Sequence, residues 1–462
     1  MRKIIDSTEK DGSYKFTENT SVNVSQGAAI TDDNQVKIDA QGQTLTLKVQ
    51  PTDDGVARGI NQTQANEVNI TADKLVIKVL GSNGNEGIRL DNNTDGTAAV
   101  TNVKGATDIT LQGSANSMGI TVNGNSQLNL QGDVTINNSS SPSSETSGLS
   151  AVGIYAGGND TGTGAIVNVE GATSLQGSGT GVAVIGSAST VNLKGAVNIS
   201  TNSDHMVAVV ASSGMANINM NNEGPSNNIV KLNGNLMVTH DADSMEDTGY
   251  QSIINVNMDN ANSSWTGVAY NQFDEAAQVQ LFALRRAVAS TGEINLNLSN
   301  GAVWNNDLGT VSGEAINFTG SHITKLTGGT GSSAGYIYQK DSKDLTIDKL
   351  SGNINITYDH TIDKANLEFA AGNTVIGSAE AGSKATMARG ADGINTADKA
   401  AVEKAFAALA QKLIYNGATA KSANLTADMT IGGGLTGDTA SCPGIIEFTD
   451  TKGGYKAGSF LV

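Results

Sequence analysis

Cysteine is nearly absent from this chain, because Cys442 is the only one among 462 residues. A single thiol excludes an internal disulfide, so an exported chain of this length depends on a packed core for its stability. We interpret Cys442 as an incidental turn residue, with a reactive or crosslinking thiol as the alternative. Proline occurs four times and aromatic residues make up 4% of the chain. These values exclude a collagen-like repeat and a core rich in aromatic rings.

Basic residues are also few. The chain has 28 Lys and Arg residues against 45 Asp and Glu residues, its formal net charge is −17, and its basic residues form no cluster. The attraction that drives nucleic-acid binding is therefore missing and has the wrong sign, and anionic membrane surfaces are equally poor partners. We interpret the acidity as a contribution to solubility. Binding of a cation or of a cationic ligand is the alternative.

Long apolar runs are missing as well. The sequence contains no apolar stretch of about 18 residues, the length that a membrane-spanning helix needs. Residues 1–7 lack the apolar stretch of a signal peptide,. The chain is therefore either cytosolic or part of a longer exported protein whose export signal lies outside it, and we favour the second interpretation. We expect no direct membrane insertion by this fragment.

A short phrase recurs along the chain: an alternating apolar pair, a turn built on Gly or Asn, and a second alternating pair. In residues 191–199 the two pairs are Val191 with Leu193 and Val197 with Ile199. Alternate residues of a strand point to opposite faces, so these four side chains can be buried together. One phrase buries too little surface to fold alone, so its copies must stack. Other copies are residues 128–136 and 167–173.

The repetition predicts an all-β solenoid. We expect a right-handed parallel β-helix with lateral loops and a small C-terminal module of helix and strands. The 55 glycines and the 38% apolar content, laid down in alternating register, favour this fold over disorder,. We assign residues 1–388 to the β-helix rod and residues 389–462 to the module. Within the rod, the pair at 191 and 193 is expected to stack on Val167 and Val169.

Two segments have apolar residues at helical spacing. Residues 273–289 predict a short helix in a lateral loop, and residues 399–415 predict a longer one, closed by Asn416 and Gly417,. Strand-like runs follow at 423–431 and 444–448. We expect this C-terminal module to close the end of the rod and not to bind a ligand.

Residue patterns for hydrolytic chemistry are weak. Residues 328–335 form the nearest Gly-Ser run, which is not the Gly-Asp-Ser-Gly of a serine protease, and a triad also needs a histidine to accept the proton. We interpret all four histidines as surface or turn residues: His205, His240, His322 and His360. Glycan cleavage needs carboxylates that face one another across a groove. The candidate acids lie in turn-like sequence, where a solvated loop is the favoured interpretation: Asp32, Asp33, Asp53, Asp54, Asp241, Asp243, Glu246 and Asp247.

One segment resembles part of a calcium loop. Residues 91–96 match the pattern D-x-N-x-D-G, but the twelfth position is Asn102, where a bidentate Glu is required,. We therefore predict no calcium site. We also predict no catalytic residue, no cofactor site and no other metal site in this chain.

Three motifs carry a resemblance to a known family. Residues 256–267 and 296–304 each run from a strand through a turn to a tryptophan, residues 132–136 form a short coil strand, and residues 392–448 form the C-terminal module. Together they resemble the passenger region of a bacterial autotransporter of the pertactin-like, adhesin-type class.

The resemblance implies export by type V secretion, through the outer membrane, and display on the cell surface. It implies adhesion to a host protein or glycan, to other bacteria, or to further copies of the chain in a biofilm. This chain has no series of about 10-residue alternating strands such as an outer-membrane barrel needs, so the resemblance implies a barrel in a C-terminal part of the parent protein. The alternative is a β-helix polysaccharide lyase or hydrolase, or a phage-type spike, and facing carboxylates in a groove would favour the enzyme.

Overall fold

The structure of the protein is a computed structural model. It describes residues 12–31, 35–52, 55–81, 84–91, 97–113, 117–140, 151–158, 164–177, 179–201, 207–220, 228–239, 252–271, 292–308, 318–358, 370–389, 411–415, 418–419, 429–430, 444–448, 455–457 and 460–461. All regular elements within these ranges are β-strands, and no helix occurs among them. The described protein is therefore all-β.

The first half of the chain contains strands β1 to β21. In chain order they are β1 (Ser13–Lys15), β2 (Thr20–Val24), β3 (Ala28–Thr31), β4 (Val36–Val49), β5 (Arg58–Gln62), β6 (Glu67–Leu80), β7 (Glu86–Leu90), β8 (Val100–Gln112), β9 (Met118–Asn123), β10 (Gln127–Leu130), β11 (Val134–Asn138), β12 (Val152–Gly157), β13 (Ile166–Val169), β14 (Thr173–Gln176), β15 (Thr180–Ile185), β16 (Thr190–Leu193), β17 (Val197–Ser200), β18 (Val207–Ser212), β19 (Met215–Ile218), β20 (Val230–Asn233) and β21 (Asn235–Thr239).

The second half continues in the same way. Its strands are β22 (Ile253–Met258), β23 (Ser264–Thr266), β24 (Ala269–Tyr270), β25 (Glu293–Leu298), β26 (Val303–Asn306), β27 (Gly320–Gly328), β28 (Gly335–Gln339), β29 (Asp344–Ser351), β30 (Asn353–Tyr358), β31 (Thr374–Ala379), β32 (Lys384–Arg389), β33 (Leu413–Tyr415), β34 (Ala418–Thr419), β35 (Met429–Thr430), β36 (Gly444–Phe448), β37 (Tyr455–Ala457) and β38 (Phe460–Leu461).

The chain divides into two compact units. The first comprises Met1–Asn255, Phe273–Gly292 and Val311–Ile316, and the second comprises Val256–Gln272, Glu293–Thr310 and Asn317–Val462. The boundary predicted after residue 388 is a different division of the chain, and it stays a prediction.

The first unit repeats a set of three strands. Strands β9, β10 and β11 pair in parallel with β12, β13 and β14, and those pair with β15, β16 and β17. Three parallel ladders result. Ladder A contains β3, β5, β7, β9, β12, β15, β18 and β21; ladder B contains β1, β4, β6, β8, β10, β13, β16 and β19; ladder C contains β2, β4, β6, β8, β11, β14, β17 and β20. The long strands β4, β6 and β8 serve both B and C, with a shift of register between the two halves.

The core of the first unit consists of aliphatic side chains stacked in register, one column from each ladder. Ladder A stacks Ile30, Ile60, Ile88, Ile120, Ile154, Val182, Val209 and Leu236. Ladder B stacks Ile38, Ile70, Val103, Leu130, Val169, Leu193 and Ile218, and ladder C stacks Leu47, Ile77, Ile109, Ile136, Leu175, Ile199 and Leu232. All of these side chains are buried. Full burial of one such side chain contributes roughly 1.5–3 kcal/mol, so the columns are the main source of stability.

The predicted stacking of one copy of the phrase on the next is confirmed. Val191 lies in register with Val167, and Leu193 with Val169. Val197 and Ile199 follow in the next strand, and all four residues of the 191–199 phrase are at most 1% exposed. The period of two residues was therefore a correct guide to which side chains are buried.

The second unit contains two parallel ladders. One runs through β25, β27, β29, β31 and β33, and the other through β23, β26, β28, β30 and β32. Its core contains both tryptophans of the chain. Trp265 and Trp304 are register partners, fully buried, with ring centroids 4.5 Å apart and ring planes 5° from parallel. Trp304 Nε1 donates a hydrogen bond of 3.0 Å to the Gly267 carbonyl, which satisfies its polar atom inside the core.

The helix predicted at 399–415 is wrong at its C-terminal end. Leu413–Tyr415 forms β33, which pairs in parallel with β31, and Leu413 is 1% exposed. The backbone groups at the edge of β31 need partners, and pairing with β33 satisfies them at the expense of the local helical spacing. Residues 399–410 and the helix predicted at 273–289 lie outside the described residues. The strand predicted at 444–448 is confirmed, and of the run 423–431 the described residues, Met429–Thr430, are a strand.

Candidate functional site

An amide column runs along the outer face of ladder B. Seven asparagines bond side chain to side chain, each Nδ2 donating to the preceding Oδ1 over 2.8–3.0 Å. Six of them share one register position of ladder B, and the seventh is Asn255 of β22; the six are Asn69, Asn102, Asn129, Asn168, Asn192 and Asn217. All seven are half-buried. Since each amide satisfies its neighbour, we interpret the column as a structural fastener of the outer face.

A charged cluster lies on ladder A. The buried carboxylate of Glu86 accepts from Arg58 Nε and, at 3.0 Å, from Arg89 Nη1. Arg89 Nε also donates to Asp91 over 2.6 Å, and Asp91 accepts from Asn123 Nδ2 over 2.5 Å. Two arginines, Arg58 and Arg89, thus neutralise two carboxylates, Glu86 and Asp91. The polar atoms of these side chains are paired with one another. Such a pairing stabilises buried charge and leaves little free capacity for a ligand.

His322 is the one histidine among the described residues, and it lies in the second unit. Its Nε2 is 2.9 Å from Asp348 Oδ2 and its Nδ1 is 3.4 Å from the Asn271 carbonyl oxygen. The hydrogen bond with Asp348 raises the pKa of His322, while burial works against it. Both ring nitrogens face acceptors, and only the protonated ring can donate to both.

An open groove of about 260 Å³ crosses ladder C in the first unit. Four outward side chains at one register position of β11, β14, β17 and β20 line it, namely Thr135, Ser174, Asn198 and Lys231. Its floor is apolar, with Ala172, Ala196 and Ile229, and Asp133 stands at one end. The groove therefore combines a row of polar side chains with an apolar bed.

Most of the residues singled out from the sequence lie outside the part of the chain that the structure describes. Of the calcium-like loop, residues 92–96 lie outside the described residues, and Asp91 belongs to the charged cluster around Glu86. In the Gly-Ser run, Ser333 Oγ donates to the Thr330 carbonyl over 2.6 Å and accepts from its N–H over 2.9 Å, which is the hydrogen bonding of a turn. The remaining predicted candidates lie outside the described residues: Asp32, Asp33, Asp53, Asp54, His205, His240, Asp241, Asp243, Glu246, Asp247, His360 and Cys442.

Within the described ranges, no group of three or more His, Cys, Asp or Glu side chains lies close enough together to hold a metal ion. A search of the described residues for a helix long and apolar enough to cross a membrane also found none.

Sequence reasoning missed the row that lines the groove. Its signal was present, because Thr135, Ser174 and Asn198 each stand between the two buried residues of the second strand in a recurrent phrase. The long connection between β19 and β20 interrupts the phrase before Lys231, so the fourth member was not visible from spacing.

Comparison with protein-family models, with curated proteins and with solved structures gave no match to this chain.

Proposed function

We propose that this chain is a right-handed parallel β-helix that is exported by type V secretion and acts on the cell surface as an adhesin. The single observation that carries the proposal is the groove on ladder C, where four successive strands each present a polar side chain at the same register position, without a side-chain partner in the part of the chain that the structure describes. A stack of near-identical strands repeats a weak contact many times, which suits adhesion better than turnover of one bound substrate.

The β-helix is supported by the order of the ladders. The chain visits ladders A, B and C in turn before it returns to A, as a coil with three faces would. Crossover connections between parallel strands of one sheet are right-handed in about 98% of cases, which favours the right-handed form.

Adhesion would follow from many weak contacts. A single polar side chain in water contributes little to the free energy of binding. Copies of the chain at high density on a surface convert such weak contacts into firm attachment through effective concentration. The apolar columns hold the strands without disulfides, so the proposed coil would keep its surface in place outside the cell.

The test of this proposal is attachment of beads. Beads coated with the full chain at several densities would be applied to surfaces coated with mucin glycoprotein, with fibronectin, or with the chain itself. We expect attachment to at least one surface that rises steeply with coating density, together with weak binding of the free chain to the same surface. Beads coated with heat-denatured chain at equal density serve as the control. Absence of attachment to all three surfaces, or attachment equal to that of the control, would overturn the proposal.

A further inference from the structure

The groove on ladder C is built from strands whose register is continuous. Thr135 lies in register with Ser174, Ser174 with Asn198, and Asn198 with Lys231. Neighbouring strands are about 4.8 Å apart, so the four side chains form a row with one polar group for each step of about 4.8 Å. This spacing suits a linear ligand that lies across the strands.

Small residues keep the groove open. At the turn before β17, Gly195 lies so close to the strand below that an added Cβ would stand 2.4 Å from the Gly171 carbonyl oxygen. Each of these glycines precedes an alanine of the groove floor, Ala172 or Ala196. Because the glycines let the turns approach closely and the alanines carry only a methyl group, the floor is apolar and no large side chain fills the groove there. Ile229, 37% exposed, extends it.

The polar row is free to bind. Among the described residues no side-chain partner is found for Thr135, Ser174, Asn198 or Lys231. Asn198 contrasts with Asn192 of the preceding strand, whose amide bonds to both neighbours in the amide column. The groove row therefore presents two hydroxyl groups, one amide and one ammonium group that have no side-chain partner among the described residues.

The backbone limits the kinds of ligand. The N–H and C=O groups of β14 and β17 are already used in the parallel pairing on both sides. An extended peptide binds a sheet by pairing with free backbone groups at an edge, and the middle of ladder C offers none. A ligand in the groove must therefore be held by side chains. A ligand with hydroxyl groups and apolar faces matches a lining of polar side chains over alanine and isoleucine.

Charge selects among such ligands. Lys231 is exposed and carries the free positive charge of the row, while at the other end Asp133 Oδ1 accepts the Ala172 N–H over 2.8 Å. A carboxylate on the ligand would complement Lys231. We propose that this groove binds a linear acidic saccharide, with its carboxylate on Lys231, its hydroxyl groups on Ser174 and Asn198, and its C–H faces on the alanine floor. This inference rests on the proposed adhesive function, whose ligand class it names.

Calorimetric titration of the full chain tests the inference. The probes are oligogalacturonate, which carries uronic acids, oligosialic acid, and cellohexaose as the neutral control. We expect at least one acidic probe to bind, to bind more tightly than cellohexaose, and to bind more weakly at high salt. Lys231→Gln should weaken the binding of that probe about fivefold or more. Lys37→Gln is the matched control, since Lys37 is an exposed lysine of ladder B with no side-chain partner among the described residues, and it should leave the affinity unchanged.

A second variant tests the groove by shape. Ala196→Gln fills the floor without exposing apolar surface, so it should abolish binding while the melting curve stays that of the wild type; Ser174→Ala is the milder variant if Ala196→Gln does not fold. The inference is overturned if neither acidic probe binds, if cellohexaose binds equally well, or if Lys231→Gln and Lys37→Gln behave alike. Beads that attach although no acidic probe binds would leave the adhesive function standing without this ligand. Binding of an acidic probe by a chain whose beads do not attach would support the groove and overturn adhesion.

Discussion

At the scale of single residues, the same side chain has different roles on neighbouring faces. Asn168 on ladder B donates to Asn129 and accepts from Asn192, over 2.9 and 2.8 Å. Asn198 on ladder C is equally half-buried but has no side-chain partner among the described residues. Register decides the difference, since an amide column forms only where asparagine recurs at the same position of every strand.

Substitution of the two asparagines should separate these roles. Asn168→Ala removes two hydrogen bonds and should lower the free energy of unfolding by about 1–2 kcal/mol, because each net bond contributes roughly 0.5–1.5 kcal/mol. Asn198→Ala is the matched control and should stay within about 0.5 kcal/mol of the wild type. Urea denaturation of the three proteins measures both values. Equal effects of the two changes would show that the column adds nothing to stability.

A charge in the core should be far more costly. Leu193→Asp places a carboxylate in a fully buried column between Val169 and Ile218. We expect a loss of several kcal/mol, or failure to fold, because an unpaired charge in a dry core has no compensating partner. The loss of stability is measured by thermal melting, monitored by circular dichroism. Asn198→Asp, on the outer face, is the control. A melting curve unchanged by Leu193→Asp would contradict the stacked core.

His322 should make stability depend on pH. Its pKa is raised in the folded protein through the hydrogen bond with Asp348, relative to about 6.5 in the unfolded chain. The stabilisation is therefore fully present below about pH 6.5 and is lost as the pH rises through the higher folded value. We expect His322→Gln to be less stable than the wild type at pH 5 and to approach it at pH 8, measured by urea denaturation at each pH. A difference that does not change with pH would mean that the ring stays neutral.

At the scale of elements, glycine determines how closely the strands of ladder A approach the side-chain column of ladder C. The dipeptide of Gly followed by Ile or Val recurs at residues 59–60, 87–88, 119–120, 153–154 and 181–182. An added Cβ at Gly181 would stand 2.4 Å from Ile199 Cγ2 and 2.5 Å from the Ala208 carbonyl oxygen. The missing side chains therefore let the isoleucine column of ladder C lie against the backbone of ladder A.

Addition of one methyl group at Gly181 should test this close approach of ladder C to the backbone of ladder A. Gly181→Ala should destabilise the protein by roughly 1–3 kcal/mol, the usual cost of overpacking. Gly377→Ala, at an exposed strand position where an added Cβ comes no nearer than 3.0 Å to another atom, is the control and should be close to neutral,. Thermal unfolding of both variants gives the comparison. A Gly181→Ala protein as stable as the control would contradict the close approach.

At the scale of the whole molecule, the last parallel strands do not end as bare edges. In the second unit, β32 pairs with β30 on one side and antiparallel with β36 on the other, and β31 pairs with β33. A change from parallel to antiparallel pairing ends the repeat. Exposed strand edges associate readily, so these pairings agree with the expectation that the C-terminal module closes the end of the stack, which stays a prediction.

Deletion of residues 391–462 tests that expectation. Loss of β33 and β36 should expose the edges of β31 and β32 and cause self-association, measured by analytical ultracentrifugation, with a lower melting temperature. Deletion of residues 458–462 alone keeps β33, β36 and β37, the antiparallel partner of β36, and should leave the protein monomeric. A monomeric 391–462 deletion with an unchanged melting curve would show that the module is an independent part and no cap.

The sequence by itself determined the strands of the recurrent phrase and which side chains they bury, because alternation along a strand is a local property of period two. Leu193 and Ile199 were therefore predictable. The tertiary structure decided everything that depends on which strands meet: the amide column, whose partners such as Asn168 and Asn192 stand 24 residues apart, the pairing of Leu413–Tyr415 with β31 against its helical spacing, and the groove. Connections of unequal length hide such alignments in the sequence, and only the register of the stacked strands brings Thr135, Ser174, Asn198 and Lys231 into one row.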